Sequence, residues 1–119
     1  MYGLPKDFSA QVFVGATLEQ ICFFENQIRF ILREDLSITV EASFSYSRDD
    51  SGKSMTVYYM PVLSTDVMAV IGRTVSSAAA ESDGTLSLTF DNGCVVAIYD
   101  VSDRYESYRI KAGERDIIV

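Results

Sequence analysis

Apolar and polar residues alternate along most of this chain with the period of two that an extended backbone imposes. Leu18 to Phe24 is apolar and aromatic and predicts a strand that carries Cys22 and Phe23 into or near the core. Glu25-Asn26 turns it, and Gln27 to Leu32 returns with Ile28, Phe30 and Leu32 on one face. Leu36 to Tyr46 is the longest run. It sets Ile38, Val40, Ala42, Phe44 and Tyr46 against Ser37, Thr39, Glu41, Ser43 and Ser45, one dry face and one wet. Residues 47–54 are polar and read as a mobile loop, and Met55 to Met60 as a strand or an extended linker ended by Pro61. Ser64 or Thr65, with Asp66 behind it, has the chemistry of a helix cap, and Gly72 that of a helix end. A short helix is therefore expected over Val67 to Ile71. Thr74 to Ala80, Thr85 to Phe90 and Cys94 to Tyr99 follow as strands, turned at Ser82-Asp83-Gly84 and Asp91-Asn92-Gly93. Tyr105 to Ile110 alternates, and Asp116 to Val119 ends the chain as a short apolar strand.

The second half of this pattern echoes the first. Gly15-Ala16-Thr17-Leu18 recurs as Gly72-Arg73-Thr74-Val75; Ile28, Phe30 and Leu32 recur as Leu86, Leu88 and Phe90; Ile38 and Val40 recur as Val96 and Ile98. The spacing slips by one residue at a turn, where insertion is tolerated. The expected architecture is α+β and mostly β, in a single domain over residues 1–119. Two related three-stranded antiparallel units, residues 15–46 and 72–100, are joined by the short helix and packed as a sandwich or roll. Residues 105–119 supply further strands, and residues 1–10 are expected to be poorly ordered. One difference between the copies carries chemistry: Ser37, Thr39 and Glu41 become Val95, Ala97 and Tyr99. The later strand is then apolar on both faces, which predicts either a covering element or contact with another chain.

Composition narrows the function. The 119 residues include no histidine, which removes the Ser-His-Asp and Cys-His nucleophile arrangements and the usual neutral metal ligand. Net charge is −7 and the pI about 4.4, so no nucleic-acid partner is expected. No apolar run approaches the ~20 residues of a membrane helix, and the opening residues lack a signal-peptide pattern, so the expectation is no membrane partner and a cytoplasmic location. Cys22 and Cys94 are read as buried free thiols.

The candidate sites are modest. Asp91, Asp100, Asp103 and Glu106 lack the spacing of a calcium loop and read as solvated turns; the adjacent pairs Glu34-Asp35 and Asp49-Asp50 do the same. No catalytic residue, metal or cofactor is assigned, and no enzymatic activity is expected. Tyr105, Glu106 and Tyr108, with Tyr99, Val95 and Ala97, form the candidate partner-binding set, because tyrosine buries area while keeping a hydroxyl to hydrogen-bond. Against this stands a core role for one tyrosine and a surface ion pair from Glu106 to Arg104 or Arg109. Tyr58-Tyr59-Met60 is a second possible contact patch.

The segments Ile71-Gly72-Arg73-Thr74-Val75, Asp83 to Gly93 and Tyr105-Glu106-Ser107 resemble an uncharacterised family of small bacterial proteins, and Gly15 to Leu18 and Leu36 to Glu41 are similar to that family's first half. The resemblance implies no assigned activity. By analogy with small acidic proteins encoded beside bacterial toxins, it implies an immunity-type role. The expected function is thus a non-catalytic protein-binding module with a basic partner, compatible with a homodimer. The alternative is a small-ligand domain with an apolar cavity between the repeats, lined by Phe23, Phe30, Phe44 and Phe90.

Overall fold

In the computed structural model, residues 3–49, 55–101 and 106–119 are described. The chain passes through the same series of elements twice. A single turn of 3-10 helix (Ala10–Phe13) precedes strands β1 (Gln20–Phe23), β2 (Ile28–Arg33), β3 (Leu36–Val40), β4 (Ser43–Ser47) and β5 (Thr56–Tyr59). A second such turn (Val67–Val70) precedes β6 (Val75–Ala80), β7 (Leu86–Phe90), β8 (Val95–Tyr99), β9 (Tyr108–Ala112) and β10 (Arg115–Ile118).

The strands form two five-stranded antiparallel sheets, ordered β1-β2-β3-β9-β10 and β5-β4-β8-β7-β6. Each half of the chain gives three strands to one sheet and two to the other. The two sheets enclose one core, built on the inward sets Ile28, Phe30, Leu32 and Leu86, Leu88, Phe90. Across it the rings of Phe30 and Phe44 meet edge-on at 5.6 Å, and Phe44 stacks on Tyr58 at 5.1 Å. The fold is an open, sandwich-like all-β arrangement.

Three expectations change. The α component disappears: the connecting helix is only the four-residue turn Val67–Val70. Thr65 Oγ1 accepts from the Val67 N–H, but the cap position falls on Asp66, whose side chain makes no capping bond, and Gly72, at φ +84°, follows after a single turn. Only Val67 and Val70 are buried, three residues apart on one side. The three-stranded antiparallel units are present as β1-β2-β3 and β6-β7-β8, but they do not stand alone: β9-β10 extend the first to five strands and β4-β5 extend the second. And Leu36 to Tyr46 is not one strand. It breaks at Glu41-Ala42, whose N–H groups both donate to the Ser107 carbonyl, and β4 continues in the other sheet.

The described part of the lead-in is tied down. Leu4 and Phe8 pack against the core, and Arg115 donates to Asp7 at 2.7 Å. Residues 50–54, most of the expected loop, lie outside the described residues. Met55 to Met60 resolves as a strand, β5 pairing with β4 from Ser43↔Tyr59 to Tyr46↔Thr56.

Candidate interaction faces

Charge separates the two sheets. The strands of the first carry Arg29, Arg33, Arg109, Lys111, Arg115 and one acid, Asp116; the strands of the second carry no charged residue. Most of the acidic excess therefore sits in the turns and connections. A chain of net charge −7 has gathered half its cations on one sheet and kept the other neutral.

The register shows that the outward faces correspond row by row. On the first sheet Arg29 lies opposite Thr39, and Thr39 opposite Arg109. On the second, Ser87 lies opposite Ala97, and Ala97 opposite Ser45. The next row is Ile31, Ser37, Lys111 on the first sheet and Thr89, Val95, Ser47 on the second. One backbone frame thus presents two chemistries.

On the second sheet Val95, Ala97 and Tyr99 share the outward face with Ser43, Ser45 and Ser47. These three serines are buried. The Tyr99 hydroxyl is 2.7 Å from Ser45 Oγ, which fixes the ring across β4. Toward the β5 edge the face continues into Met55, Val57 and Tyr59, all exposed, Tyr59 by 69%. The strands of this face are uncharged and partly apolar.

The rest of the predicted binding set does not join it. Tyr108 is fully buried, and its hydroxyl donates to the Gly84 carbonyl at 2.6 Å, so it is a core residue and not a contact residue. Burial, reinforced by Asp100 and Asp83, pushes its phenol far above the usual tyrosine range. Glu106 is half-buried beside the first sheet, 3.7 Å from the Arg109 guanidinium, which is the surface ion pair of small worth. Tyr105, Asp103 and Arg104 lie outside the described residues. In the other expected patch, Tyr59 is exposed but Tyr58 turns inward onto Phe44.

The phenylalanine cavity is not assembled. Phe30 and Phe44 are in contact, while Phe23 is 46% exposed at the β1 edge. Both cysteines are free, but only Cys94 is buried, where it meets the Tyr46 hydroxyl at 3.3 Å; Cys22 is half-buried on the outer side of β1. Among the described residues no three acidic or cysteine side chains gather as metal ligands would.

Sequence reasoning missed an open groove of about 730 Å³ on the outer face of the first sheet. Arg29, Thr39, Arg109 and Lys111 form its floor, with Arg115 and Asp116 at the β10 side. Arg29 Nε donates to Thr39 Oγ1 at 3.1 Å, and its guanidinium lies 5.6 Å from the centre of the Phe24 ring. Arg109 is held between Asp116 at 3.4 Å and Glu106 at 3.7 Å.

Architecture and faces together define a class: a two-sheet antiparallel β domain with one charged and one uncharged outer face. Residues 9–119 match a family described as "Family of unknown function (DUF6188)", and the chain belongs to that family. No curated protein and no solved structure matches the chain. Among the described residues, no helix is long and apolar enough to cross a membrane.

Proposed function

We propose that this chain is a non-catalytic module that binds another protein through the outer face of its second sheet. One observation carries the reading: β4 to β8 contain no charged residue in a chain with 27 charged side chains counted as Lys, Arg, Asp and Glu, 10 basic and 17 acidic. A solvated sheet face has every reason to carry charge, and the first sheet does. Depletion of charge at the centre with aromatic, Met and small residues around it is the composition of an interface core.

The rim indicates the partner's chemistry. Among the described residues, the segments bordering the strands of this sheet hold Glu41, Asp49, Asp66, Glu81, Asp83, Asp91 and Asp100, against Arg48 and Arg73. Those two arginines sit beside Asp66 at 3.9 Å and Asp91 at 3.8 Å. An apolar patch ringed by Lys and Arg complements this arrangement, and the net charge of −7 would steer such a partner in. An immunity-type inhibitor is one form of this function.

The test is affinity capture at low and moderate salt with the wild type and Ala97→Arg. A basic partner retained by the wild type, weakened by salt and lost in the variant supports the reading. Retention that survives Ala97→Arg overturns it. Sedimentation of both proteins reads the homodimer separately: self-association lost in Ala97→Arg would make a second copy the occupant.

A further inference from the structure

The groove on the first sheet has no place in that docking face, and its cations call for an explanation of their own. We propose that it binds a small molecule through a phosphoryl group, held between Arg29 and Arg109 above the Thr39 hydroxyl, with Lys111 alongside.

The register sets the geometry. Arg29, Thr39 and Arg109 are directly opposed neighbours on three adjacent strands. Strands lie about 4.8 Å apart, so the two arginine backbones stand about 10 Å from each other across Thr39. Two guanidinium groups rooted at that separation can converge on one anion above the central residue. Lys111 occupies the next outward position of β9, opposite Ser37. Thr39 Oγ1 accepts from Arg29, which leaves its own proton free to donate upward.

The fold does not require these charges. The corresponding row of the second sheet is Ser87, Ala97 and Ser45, and Ser47 corresponds to Lys111. The same register closes there without a single cation. Like charges on neighbouring strands cost stability unless something offsets them. Arg109 has Asp116 and Glu106, and Arg115 has Asp7 at 2.7 Å. Among the described residues Arg29 and Lys111 make no ion pair. Glu34, Glu114 and Asp116 border the groove, so its cations are confined to the floor and one side. That arrangement admits a compact anion and turns away an extended polyanion such as nucleic acid.

The donor set favours phosphoryl over carboxylate. Two guanidinium groups, an ammonium and a hydroxyl approach from several directions, as a tetrahedral dianion accepts them; a planar carboxylate takes one fork in its plane. The volume of about 730 Å³ suits a metabolite-sized ligand.

The experiment is an amide-resolved NMR titration of the full chain at pH 8 with inorganic phosphate, with chloride at matched ionic strength and with malonate as the carboxylate control. Saturable shifts at Ser37, Thr39 and Lys111 with phosphate alone, weakened at least about tenfold in Arg109→Gln/Lys111→Gln and unchanged in Arg73→Gln, are expected. No saturable shift in the wild type overturns the site, which needs no variant to judge. Equal affinity in the double variant also overturns it, and malonate binding as tightly as phosphate overturns the phosphoryl assignment. Ala97→Arg, on the opposite sheet, leaves this titration unchanged, so the groove and the docking face stand or fall separately.

Discussion

Thr17 and Thr74 place their hydroxyl oxygens 2.9 Å apart, and their backbones form an isolated antiparallel bridge between the two halves of the chain. The hydrogen bonds around them come in matched pairs. Gly15 N–H donates to the Val75 carbonyl and Gly72 N–H to the Leu18 carbonyl; Leu18 N–H donates to Arg73 and Val75 N–H to Ala16. Both glycines have positive φ, +88° and +84°, which lets each 3-10 turn reverse into the crossing. Each threonine therefore satisfies the other in a part-buried position. Replacing one by Val leaves the partner hydroxyl short of a bond and costs about 1 kcal/mol. Replacing both removes donor and acceptor together, so the double variant is less destabilised than the sum of the singles. Urea unfolding of the four proteins measures the coupling; strict additivity would contradict the pairing.

The Tyr108–Gly84 bond pins the β6-β7 turn onto β9, the strand of the same half that crosses to the other sheet. Gly84 has φ +92°, and a Cβ there would sit 2.7 Å from the Asp100 Cβ. Gly84→Ala thus combines backbone strain with a clash, and a loss of about 2 kcal/mol or more is expected. Asp100→Ala does not rescue it, because that variant keeps the clashing Cβ. Tyr108→Phe leaves the Gly84 carbonyl without its donor, for about 1–2 kcal/mol. Thermal melts of the wild type and the four variants check the order: Gly84→Ala is the least stable single variant, and the Asp100→Ala pairing with it recovers little.

Local pattern announced the strands and hid where they go. Even-numbered residues point inward in both β3 and β4, so the alternation from Ile38 to Tyr46 runs on in phase through the break at Glu41-Ala42. Both strands face one core from opposite sides, and a period of two cannot tell which sheet a strand has joined. The groove was invisible for a related reason. Arg29 and Arg109 are 80 positions apart, and only the pairing of β9 beside β3 brings them to one row. Tyr108 was more accessible to reasoning, since it shares parity with the apolar Ile110, and both are fully buried. The change from Ser37 and Thr39 to Val95 and Ala97, by contrast, was readable directly and marks the very rows on which the two faces differ.

Buried phenols give the protein an alkaline limit. Burial, with the Cys94 thiol beside it, pushes Tyr46 up to about 12, and Tyr108 is raised further. In the unfolded chain both titrate near 10. The folded state therefore holds protons that the unfolded state releases, and the stability they confer is complete below pH 10 and lost as pH rises toward 12. Melting temperature should fall steeply above pH 10, and more gently in Tyr46→Phe. Absorbance at 295 nm should show phenolate at Tyr46 and Tyr108 forming only as the fold is lost. Ionisation of Tyr46 and Tyr108 near pH 10 with the fold intact would contradict the burial of these two.

Glu41 works in the acidic range and with the opposite consequence from a salt-bridged carboxylate. Desolvation raises its pKa first, and the hydrogen bond and repulsion from Glu106 add to that; Arg109 only partly offsets them. A raised carboxylate binds its proton more tightly in the folded state than in the unfolded one. Its favourable contribution is present below the unfolded value near 4.5 and lost as pH rises through the folded value. At neutral pH the charged Glu41 thus works against the fold at the bend between β3 and β4. Glu41→Gln, which mimics the protonated form, should melt higher than the wild type at pH 7, and the advantage should vanish below about pH 4. Glu106→Gln should help less, because it gives up the 3.7 Å contact with Arg109 while relieving the same repulsion. Melting curves from pH 3.5 to 8 decide the matter: an advantage for Glu41→Gln that persists unchanged at pH 3.5 would trace to packing instead of charge.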